Sequence, residues 1–326
     1  MQLINDIFNI QSEGDFKQAA LAVFAYQYTH NPVYRDFCNF LGKNPTNVLS
    51  IEHIPFLPIE FFKTKKIYCG NTPEEAIFTS SGTTGSQTSK HYVKDLSLYE
   101  QSFHKGFELF YGNPADYVIL ALLPSYLERS GSSLITMVSD LIKASNKPLS
   151  GFYLNELNTL ADLMNQLDRH EQKVFLIGVS FALLDLVERY QFLLSFTTVM
   201  ETGGMKGRRK ELVREELHRT LRRGFGVAHI HSEYGMTELF SQAYSVGKGI
   251  FTPVPWMKIL IRDTNDALNL LPHGKTGGVN VIDLANLYSC SFIATQDLGK
   301  SYPDGTFEIL GRFDNADIRG CNLMVF

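Results

Sequence analysis

A run of hydroxyl-bearing residues and glycines, Thr79-Ser80-Ser81-Gly82-Thr83-Thr84-Gly85, is the first segment whose residue types could do chemistry. Glycines allow a turn to approach a ligand closely. Successive hydroxyl and main-chain N–H groups give many donors for the oxygens of an anion such as phosphate. Lys90 follows and could supply a cation. For this run taken alone, a polar surface turn is the favoured interpretation.

The best-known nucleotide-binding motif is missing from the sequence. No G-x-x-x-x-G-K-[ST] segment is present, because Gly274-Lys275-Thr276 has Asn269 at the position of the first glycine. We interpret Gly274-Lys275-Thr276 as a turn between strands.

A second group of chemically useful side chains lies in Tyr234-Gly235-Met236-Thr237-Glu238. An aromatic ring, a hydroxyl and a carboxylate within five residues suit a flat base, a phosphate oxygen and Mg²⁺. A strand-to-loop junction with a buried tyrosine is the alternative. Asp297 and Arg312 lie at predicted strand ends and could hold sugar hydroxyls and phosphate. Each of these two residues alone is as readily explained by a turn.

Alternating strands and helices between Asp95 and about Gln242 must position these groups. Continuous apolar runs at 117–123 and 173–179 predict strands buried on both faces. Further strands are predicted at 152–154, 197–200 and 227–231, with helices between them, including a charged helix over 210–223. The alternation predicts an α/β fold with a doubly wound, mostly parallel sheet. Ligands of such sheets bind at the carboxyl ends of the strands.

The remaining parts of the chain differ in character. The first seventy residues are predicted to be helical and then loop-rich, with an extended segment at 55–62 that packs on the main body. Short strands are predicted at 256–262, 278–284, 291–295 and 306–310, separated by turn residues. We therefore predict an α/β core over 1–242 and a small antiparallel β subdomain over 243–326.

Composition excludes several classes of protein. The net charge is −4, without the basic excess of a nucleic-acid binder. The apolar runs are too short to cross a bilayer, and the N-terminus lacks the pattern of a signal peptide. The four cysteines form no C-x-x-C pair, so neither a zinc site nor a disulfide framework is expected. The sequence predicts a cytoplasmic protein with free thiols.

Taken together and in this order, the segments resemble those of the adenylate-forming superfamily, from about Thr79 to the end of the chain. The resemblance implies that the enzyme uses ATP and Mg²⁺, and that Thr79 to Gly85 grips the β- and γ-phosphates. It implies roles for the other residues as follows: Tyr234 and Gly235 at adenine, Gly203-Gly204 bordering adenine, Thr237 at the α-phosphate, Glu238 on magnesium, Asp297 on the ribose, and Arg312 assisting there.

Three departures from the superfamily pattern narrow the resemblance. The usual Gly-x-Pro-Lys after the loop is replaced by Gly85-Ser86-Gln87-Thr88-Ser89-Lys90, and the segment near Tyr126 lacks a histidine often found there. The sequence given also ends soon after Arg312, so we expect no counterpart of the superfamily's C-terminal lid domain and its lysine.

Three further segments resemble the LuxE-type acyl-protein synthetases, namely 122–128, Glu201-Thr202-Gly203-Gly204 and Asp317-Ile318-Arg319-Gly320-Cys321-Asn322. The resemblance to this branch implies that a fatty acid is activated as its adenylate. The acyl group would then move to Cys321 and on to an acceptor protein such as a reductase or carrier. Arg319 could lower the pKa of the Cys321 thiol.

Two other functions stay open at this point. The chain could deliver its acyl group from AMP to CoA, to a carrier protein or to an amine. It could also be a nucleotide- or acyl-binding module without catalysis, although keeping both Glu238 and Asp297 favours an enzyme. Cys321 could equally be an inert packing residue. The basic residues between 206 and 223 alternate with glutamates and favour a solvated helix face over a docking surface.

Overall fold

A computed structural model describes residues 2–80, 87–123, 131–154, 156–203 and 212–312. Its α-helices are α1 (Gln2–Phe8), α2 (Glu13–His30), α3 (Pro32–Phe40), α4 (Phe61–Thr64), α5 (Leu96–Tyr111), α6 (Ser133–Ser145), α7 (Leu157–Arg169), α8 (Ser180–Arg189) and α9 (Arg214–Phe225). Its strands are β1 (Leu57–Pro58), β2 (Ala76–Thr79), β3 (Lys90–Val93), β4 (Val118–Leu122), β5 (Gly151–Phe152), β6 (Val174–Gly178), β7 (Thr197–Thr202), β8 (His231–Tyr234), β9 (Ala243–Ser245), β10 (Ile250–Pro253), β11 (Met257–Arg262), β12 (Thr276–Asp283), β13 (Phe292–Ser301) and β14 (Phe307–Arg312).

The described residues form two compact units that interleave along the chain. The central unit comprises Phe103–Met236 and Gln242–Phe251. The terminal unit comprises Met1–Ser102, Thr237–Ser241 and the part of the chain from Thr252 onward. The predicted boundary between residues 242 and 243 stays a prediction.

Six neighbouring strands organise the described part of the central unit, in the order β9-β8-β7-β6-β4-β5. The strands from β8 to β5 pair in parallel, and β9 pairs with β8 in the opposite direction. Every residue of β4 and of β6 is buried, as expected for a parallel sheet covered on both faces. The chain order reverses direction between β4 and β6, so the carboxyl ends of these two strands border the sheet's topological switch point.

Antiparallel strands dominate the terminal unit. Strands β11 to β14 pair in sequence order, and β1 joins β13 in parallel, with Leu57 opposite Ile293. Strands β2 and β3 form a separate hairpin. Gln27 of α2 is fully buried, and its amide donates to the main-chain oxygens of Asn286 and Leu287 at 3.0 and 2.9 Å. These bonds anchor the N-terminal helices to the turn that follows β12.

The short segment Thr237–Ser241 is fastened to the terminal unit by Asp283 at the end of β12. This buried carboxylate accepts hydrogen bonds from the main-chain N–H groups of Phe240 and Ser241 at 2.7 and 3.0 Å. It also accepts one from the Ser241 hydroxyl at 2.5 Å. Burial raises the pKa of Asp283, and these three donors oppose that rise. The segment is therefore held by a buried polar group rather than by regular pairing.

The predicted fold class is confirmed, since an α/β sheet of mostly parallel strands and a smaller antiparallel sheet are both present. The segment at 55–62 packs on the body through β1 as expected, but its extended part is short, because a turn follows at 59–60 and α4 begins at Phe61. The strand predicted at 227–231 is wrong in its bounds. Helix α9 ends at Phe225 and is capped by Gly226, which has a φ of 68°, and pairing with β7 begins only at His231. Within the described residues no helix has the length and apolar character needed to cross a membrane.

Candidate active site

The two ends of the hydroxyl-rich run are fixed by the β2–β3 hairpin of the terminal unit. Thr79 pairs with Lys90 in the last register position. Beyond it the N–H of Ser80 donates to the main-chain oxygen of Ser89 at 3.1 Å, and the Ser80 hydroxyl accepts from the Ser89 N–H at 2.9 Å. The hairpin therefore sets where the run leaves and rejoins the unit. Ser81, Gly82, Thr83, Thr84 and Gly85 lie outside the described residues.

A basic pocket of about 490 Å³ lies beside this hairpin. It is lined by Phe62, Lys63, Thr64, Lys65, Lys66, Gln87, Thr88, Lys90 and Tyr92. Lys66 is engaged with Glu74 at 2.7 Å and lies over the rings of Tyr68 and Tyr92. Because four lysines and no carboxylates line the pocket, it attracts anions such as phosphates.

Glu238 is the buried carboxyl of the candidate site, and only 5% of its surface is exposed. Burial raises its pKa, while a hydrogen bond from Ser89 and the charges of Arg312 and Lys63 act in the opposite direction. The structure thus brings Glu238 close to the second strand of the hairpin, to the pocket lysine Lys63 and to Arg312. A carboxylate that is disfavoured by burial gains most from a nearby cation.

Asp297 and Arg312 occupy facing positions on β13 and β14. The Nε atom of Arg312 lies 3.4 Å from Oδ1 of Asp297. Asp297 is buried, whereas the Arg312 side chain is 69% exposed. Long-range strand pairing therefore brings together the two side chains that the sequence predicted as a pair. The charge of Arg312 also favours the ionised form of Glu238.

Thr237 is held through its main-chain oxygen by a side chain that the sequence did not predict. The Nδ1 atom of His91, on β3, lies 2.8 Å from that oxygen, and Nε2 lies 3.0 Å from Oδ1 of Asn286. The Asn286 amide donates to the main-chain oxygens of Glu238 and Cys290, both at 2.9 Å. Burial lowers the pKa of His91 to about 4. No local pattern announces these contacts, since His91 precedes Thr237 by more than a hundred residues.

Tyr234 ends β8 in the central unit, with its ring edge-to-face against Phe251 at 6.0 Å between centroids. Gly235 follows, where the Oε1 atom of Glu233 fills the space of a side chain, 2.2 Å from where a Cβ would lie. Gly203 follows β7 with a φ of 68°, and its oxygen accepts from the Ser180 hydroxyl at 2.8 Å. The two glycines thus meet specific steric and conformational demands. Gly204 lies outside the described residues.

Glu201 and Glu233 lie near these glycines in sequence, and their pKa values are shifted in opposite directions. Burial works against ionisation of Glu201, but hydrogen bonds from His218 and Ser232 outweigh it and lower its pKa. Burial raises the pKa of Glu233 to about 7, and the charge of Glu201 adds to this rise. The Thr202 hydroxyl donates to Glu233 at 2.5 Å and opposes the rise. The residue beside Tyr234 therefore changes charge near neutral pH.

We predict that Glu233→Gln flattens the pH dependence of stability. Folded Glu233 keeps its proton up to about pH 7, whereas the unfolded side chain loses it near 4.5. The folded state therefore binds more protons between these values, and its stability falls as the pH rises from about 5 to 8, by up to about 3 kcal/mol from this group.

Urea unfolding at pH 5, 6, 7 and 8 measures the difference in the free energy of unfolding between variant and wild type. Glu215→Gln, on the exposed surface of α9, serves as control. A difference between Glu233→Gln and wild type that is the same at every pH contradicts the prediction.

The sequence of this chain is similar to those of known proteins. Residues 7–101, which include the hydroxyl-rich run and His91, match the family described as "Acyl-protein synthetase, LuxE". A "long-chain-fatty-acid–luciferin-component ligase" of Vibrio harveyi is 26% identical over 322 residues, covering 92% of this chain and 84% of the relative. A protein of the same description from Photorhabdus luminescens is 37% identical over 70 residues, covering 21% of this chain and 60% of that relative.

Solved structures share the fold at low identity. A 2-hydroxyisobutyryl-CoA ligase in complex with 2-HIB-AMP and CoA superposes with a TM-score of 0.68 at 15% identity, covering 94% of this chain and 72% of that one. ATP-bound MatB from Rhodopseudomonas palustris superposes with a TM-score of 0.56 at 20% identity and covers 73% of this chain. The present chain spans about half the length of MatB (48%). The chain is therefore similar in sequence to the LuxE acyl-protein synthetases, with a family match over residues 7–101, and it shares the fold of the 2-hydroxyisobutyryl-CoA ligase.

Proposed function

We propose that this chain activates a long-chain fatty acid with ATP and then transfers the acyl group to a thiol. The observation that carries the proposal is the convergence, in the terminal unit, of Glu238, the Asp297–Arg312 pair and the lysine pocket at the ends of the hydroxyl-rich run. The family match that covers this run and the kinship with fatty-acid ligases support the same conclusion.

The buried carboxyl of Glu238 fits Mg²⁺ that arrives with a nucleotide. Among the described residues no group of three or more His, Cys, Asp or Glu side chains could hold a metal ion. Mg²⁺ commonly takes one or two carboxylates and completes its shell with phosphate oxygens and water. Glu238 would be the protein ligand, and bound Mg²⁺ would neutralise phosphate charge.

The first half-reaction follows from these groups. A carboxylate oxygen of the fatty acid attacks the α-phosphorus of ATP. The bond between that phosphorus and the oxygen that bridges the α- and β-phosphorus atoms breaks. Pyrophosphate leaves with the bonding electrons, and acyl-AMP remains. The Thr237 hydroxyl would donate to an α-phosphate oxygen, and Asp297 would accept from the ribose hydroxyls. The lysine pocket would stabilise the charge that accumulates on the departing pyrophosphate.

The roles of Tyr234, Gly235, Gly203 and Gly204 at adenine remain proposals. Tyr234 is buried, with 9% of its surface exposed, and the support for its role is its place at a strand's carboxyl end, where ligands of such sheets bind. We propose a site for the acid at the switch point between β4 and β6, because ligands of such sheets bind at the carboxyl ends of the strands there.

The choice of thiol for the second half-reaction is supported by the other three cysteines. Cys38, Cys69 and Cys290 are fully buried. Burial raises the pKa of Cys38 and Cys69 to about 12, and that of Cys290 well above its usual range. Because the thiolate is the nucleophile, these thiols are poor acceptors. We propose Cys321, which lies outside the described residues, as the acceptor: its sulfur forms a thioester, the bond to AMP breaks, and an acceptor protein then receives the acyl group.

Glu238→Gln is expected to lower fatty-acid-dependent exchange of pyrophosphate into ATP by about 100-fold. The amide keeps the shape of the side chain but removes the charge that would hold Mg²⁺. Isotope exchange with labelled pyrophosphate measures the rate. Glu13→Gln, at an 83% exposed carboxylate, should leave it unchanged. Exchange at the wild-type rate in Glu238→Gln removes Glu238 from the site, and a wild type without acid-dependent exchange overturns the proposed function.

Cys321→Ser is expected to abolish covalent acylation while leaving pyrophosphate exchange intact. A hydroxyl is a far weaker nucleophile than a thiolate, whereas adenylate formation precedes the thiol step. Incubation with ATP and radiolabelled fatty acid, followed by hydroxylamine treatment of the isolated protein, measures the thioester. Cys69→Ala should keep the label. A hydroxylamine-labile label that persists in Cys321→Ser shows that another thiol accepts the acyl group.

A further inference from the structure

We propose that His91 and Asn286 are positioning residues that set the main chain at Thr237 and Glu238, so that the hydroxyl and the carboxylate meet the phosphates and Mg²⁺ correctly. The inference rests on the function proposed above and adds two residues to its site. It is carried by four contacts in the terminal unit, three of them between buried groups and one to the half-buried Thr237.

His91 connects two parts of the site that are distant in sequence. It lies on β3, two residues after Ser89, which hydrogen-bonds the carboxyl of Glu238. Its Nδ1 atom reaches the main-chain oxygen of Thr237 at 2.8 Å. The strand that rejoins the hydroxyl-rich run to the unit is therefore tied to the Thr237–Glu238 turn both through Ser89 and through His91.

Asn286 provides the matching hold on the other side of the turn. Its amide nitrogen donates to the oxygens of Glu238 and Cys290, so the direction of the amide is set by two acceptors. Its Oδ1 atom faces Nε2 of His91 at 3.0 Å. Three residues earlier, Asp283 binds the main chain of Phe240 and Ser241. The main chain at four of the five positions from Thr237 to Ser241 is thus fixed by buried side chains.

Packing alone does not account for a histidine at position 91. The ring lies among Phe62, Phe78 and Phe240, with centroid separations of 5.7, 6.4 and 4.9 Å, and is fully buried. A neutral imidazole carries a single ring hydrogen, yet both nitrogens face an oxygen. One of the two contacts is therefore always imperfect, which costs free energy in a buried network. A phenylalanine would fill the same volume without that cost, so the polar contacts are what the histidine adds.

The test compares His91→Phe, His91→Gln and Phe78→Leu in the full chain. His91→Phe keeps an aromatic ring and deletes both polar contacts, whereas His91→Gln restores one N–H donor. Phe78→Leu disturbs the same aromatic cluster without touching Thr237 or Asn286 and is the matched control. Hydrogen–deuterium exchange of peptides that contain Thr237–Ser241 measures how often the main chain of the turn opens to solvent, and it does not require activity.

We expect at least tenfold faster hydrogen exchange in these peptides for His91→Phe, a smaller increase for His91→Gln, and less than a twofold change for Phe78→Leu. Unchanged exchange in His91→Phe overturns the inference, whatever the enzyme's activity. If His91→Phe does not fold, His91→Gln against Phe78→Leu decides by the same criterion.

Kinetics then separates positioning from simple stability. In pyrophosphate exchange, His91→Phe should lower kcat about 10- to 100-fold and raise the Mg²⁺ concentration for half-maximal rate, with an unchanged KM for the fatty acid. Phe78→Leu should keep both parameters within twofold of wild type. A His91→Phe enzyme with wild-type kcat and Mg²⁺ dependence contradicts the inference. Absent exchange in the wild type counts against the proposed function instead, and hydrogen exchange still decides the role of His91.

Discussion

Two buried polar side chains, Asp283 at the end of β12 and Asn286 in the turn that follows, hold the segment on which the candidate site depends. They satisfy the main-chain groups of Glu238, Phe240 and Ser241, which have no regular strand partners. Leaving one such buried group without a partner costs about 1–3 kcal/mol. The segment therefore keeps one conformation because its alternatives leave several buried groups unpaired. The placement of Thr237 and Glu238 follows from that constraint.

The same constraint explains the electrostatics around Glu238. A carboxyl held inside the unit is costly to ionise, and Ser89, Arg312 and Lys63 only partly offset this cost. A site of this kind is suited to positive charge, and the proposed Mg²⁺–ATP would bring both a cation for Glu238 and anions for the neighbouring lysines. Groups already fixed at the place where charge develops need little reorganisation during reaction, which is the main source of their catalytic value.

Local patterns made much of the fold predictable from the sequence. The apolar runs at 117–123 and 173–179 are long enough to identify buried parallel strands, and they became β4 and β6. The hairpin of β2 and β3 was missed because each strand has only four residues and no clear alternation. The start of β8 was misplaced because pairing with β7, rather than local propensity, decides where that strand begins.

The same distinction applies to the candidate site of the terminal unit. Thr237, Glu238, Asp297 and Arg312 could be proposed from the sequence, since they belong to short recognisable segments. Their supports could not be named. His91 and Asn286 are 195 positions apart, and Gln27 reaches a turn more than 250 residues away. Such partners are chosen by the folded backbone, and a single buried histidine or glutamine in a sequence carries no mark of its partner.

The central claim is that a carboxylate oxygen of the acid attacks the α-phosphorus of ATP, and isotope transfer tests it most directly. A fatty acid labelled with ¹⁸O in its carboxylate is incubated with ATP, Mg²⁺ and the enzyme until the acyl group has been transferred. Mass spectrometry of the products then locates the label. The account predicts one ¹⁸O atom in AMP and none in pyrophosphate. Label in pyrophosphate or inorganic phosphate, or AMP formed without label, would contradict it.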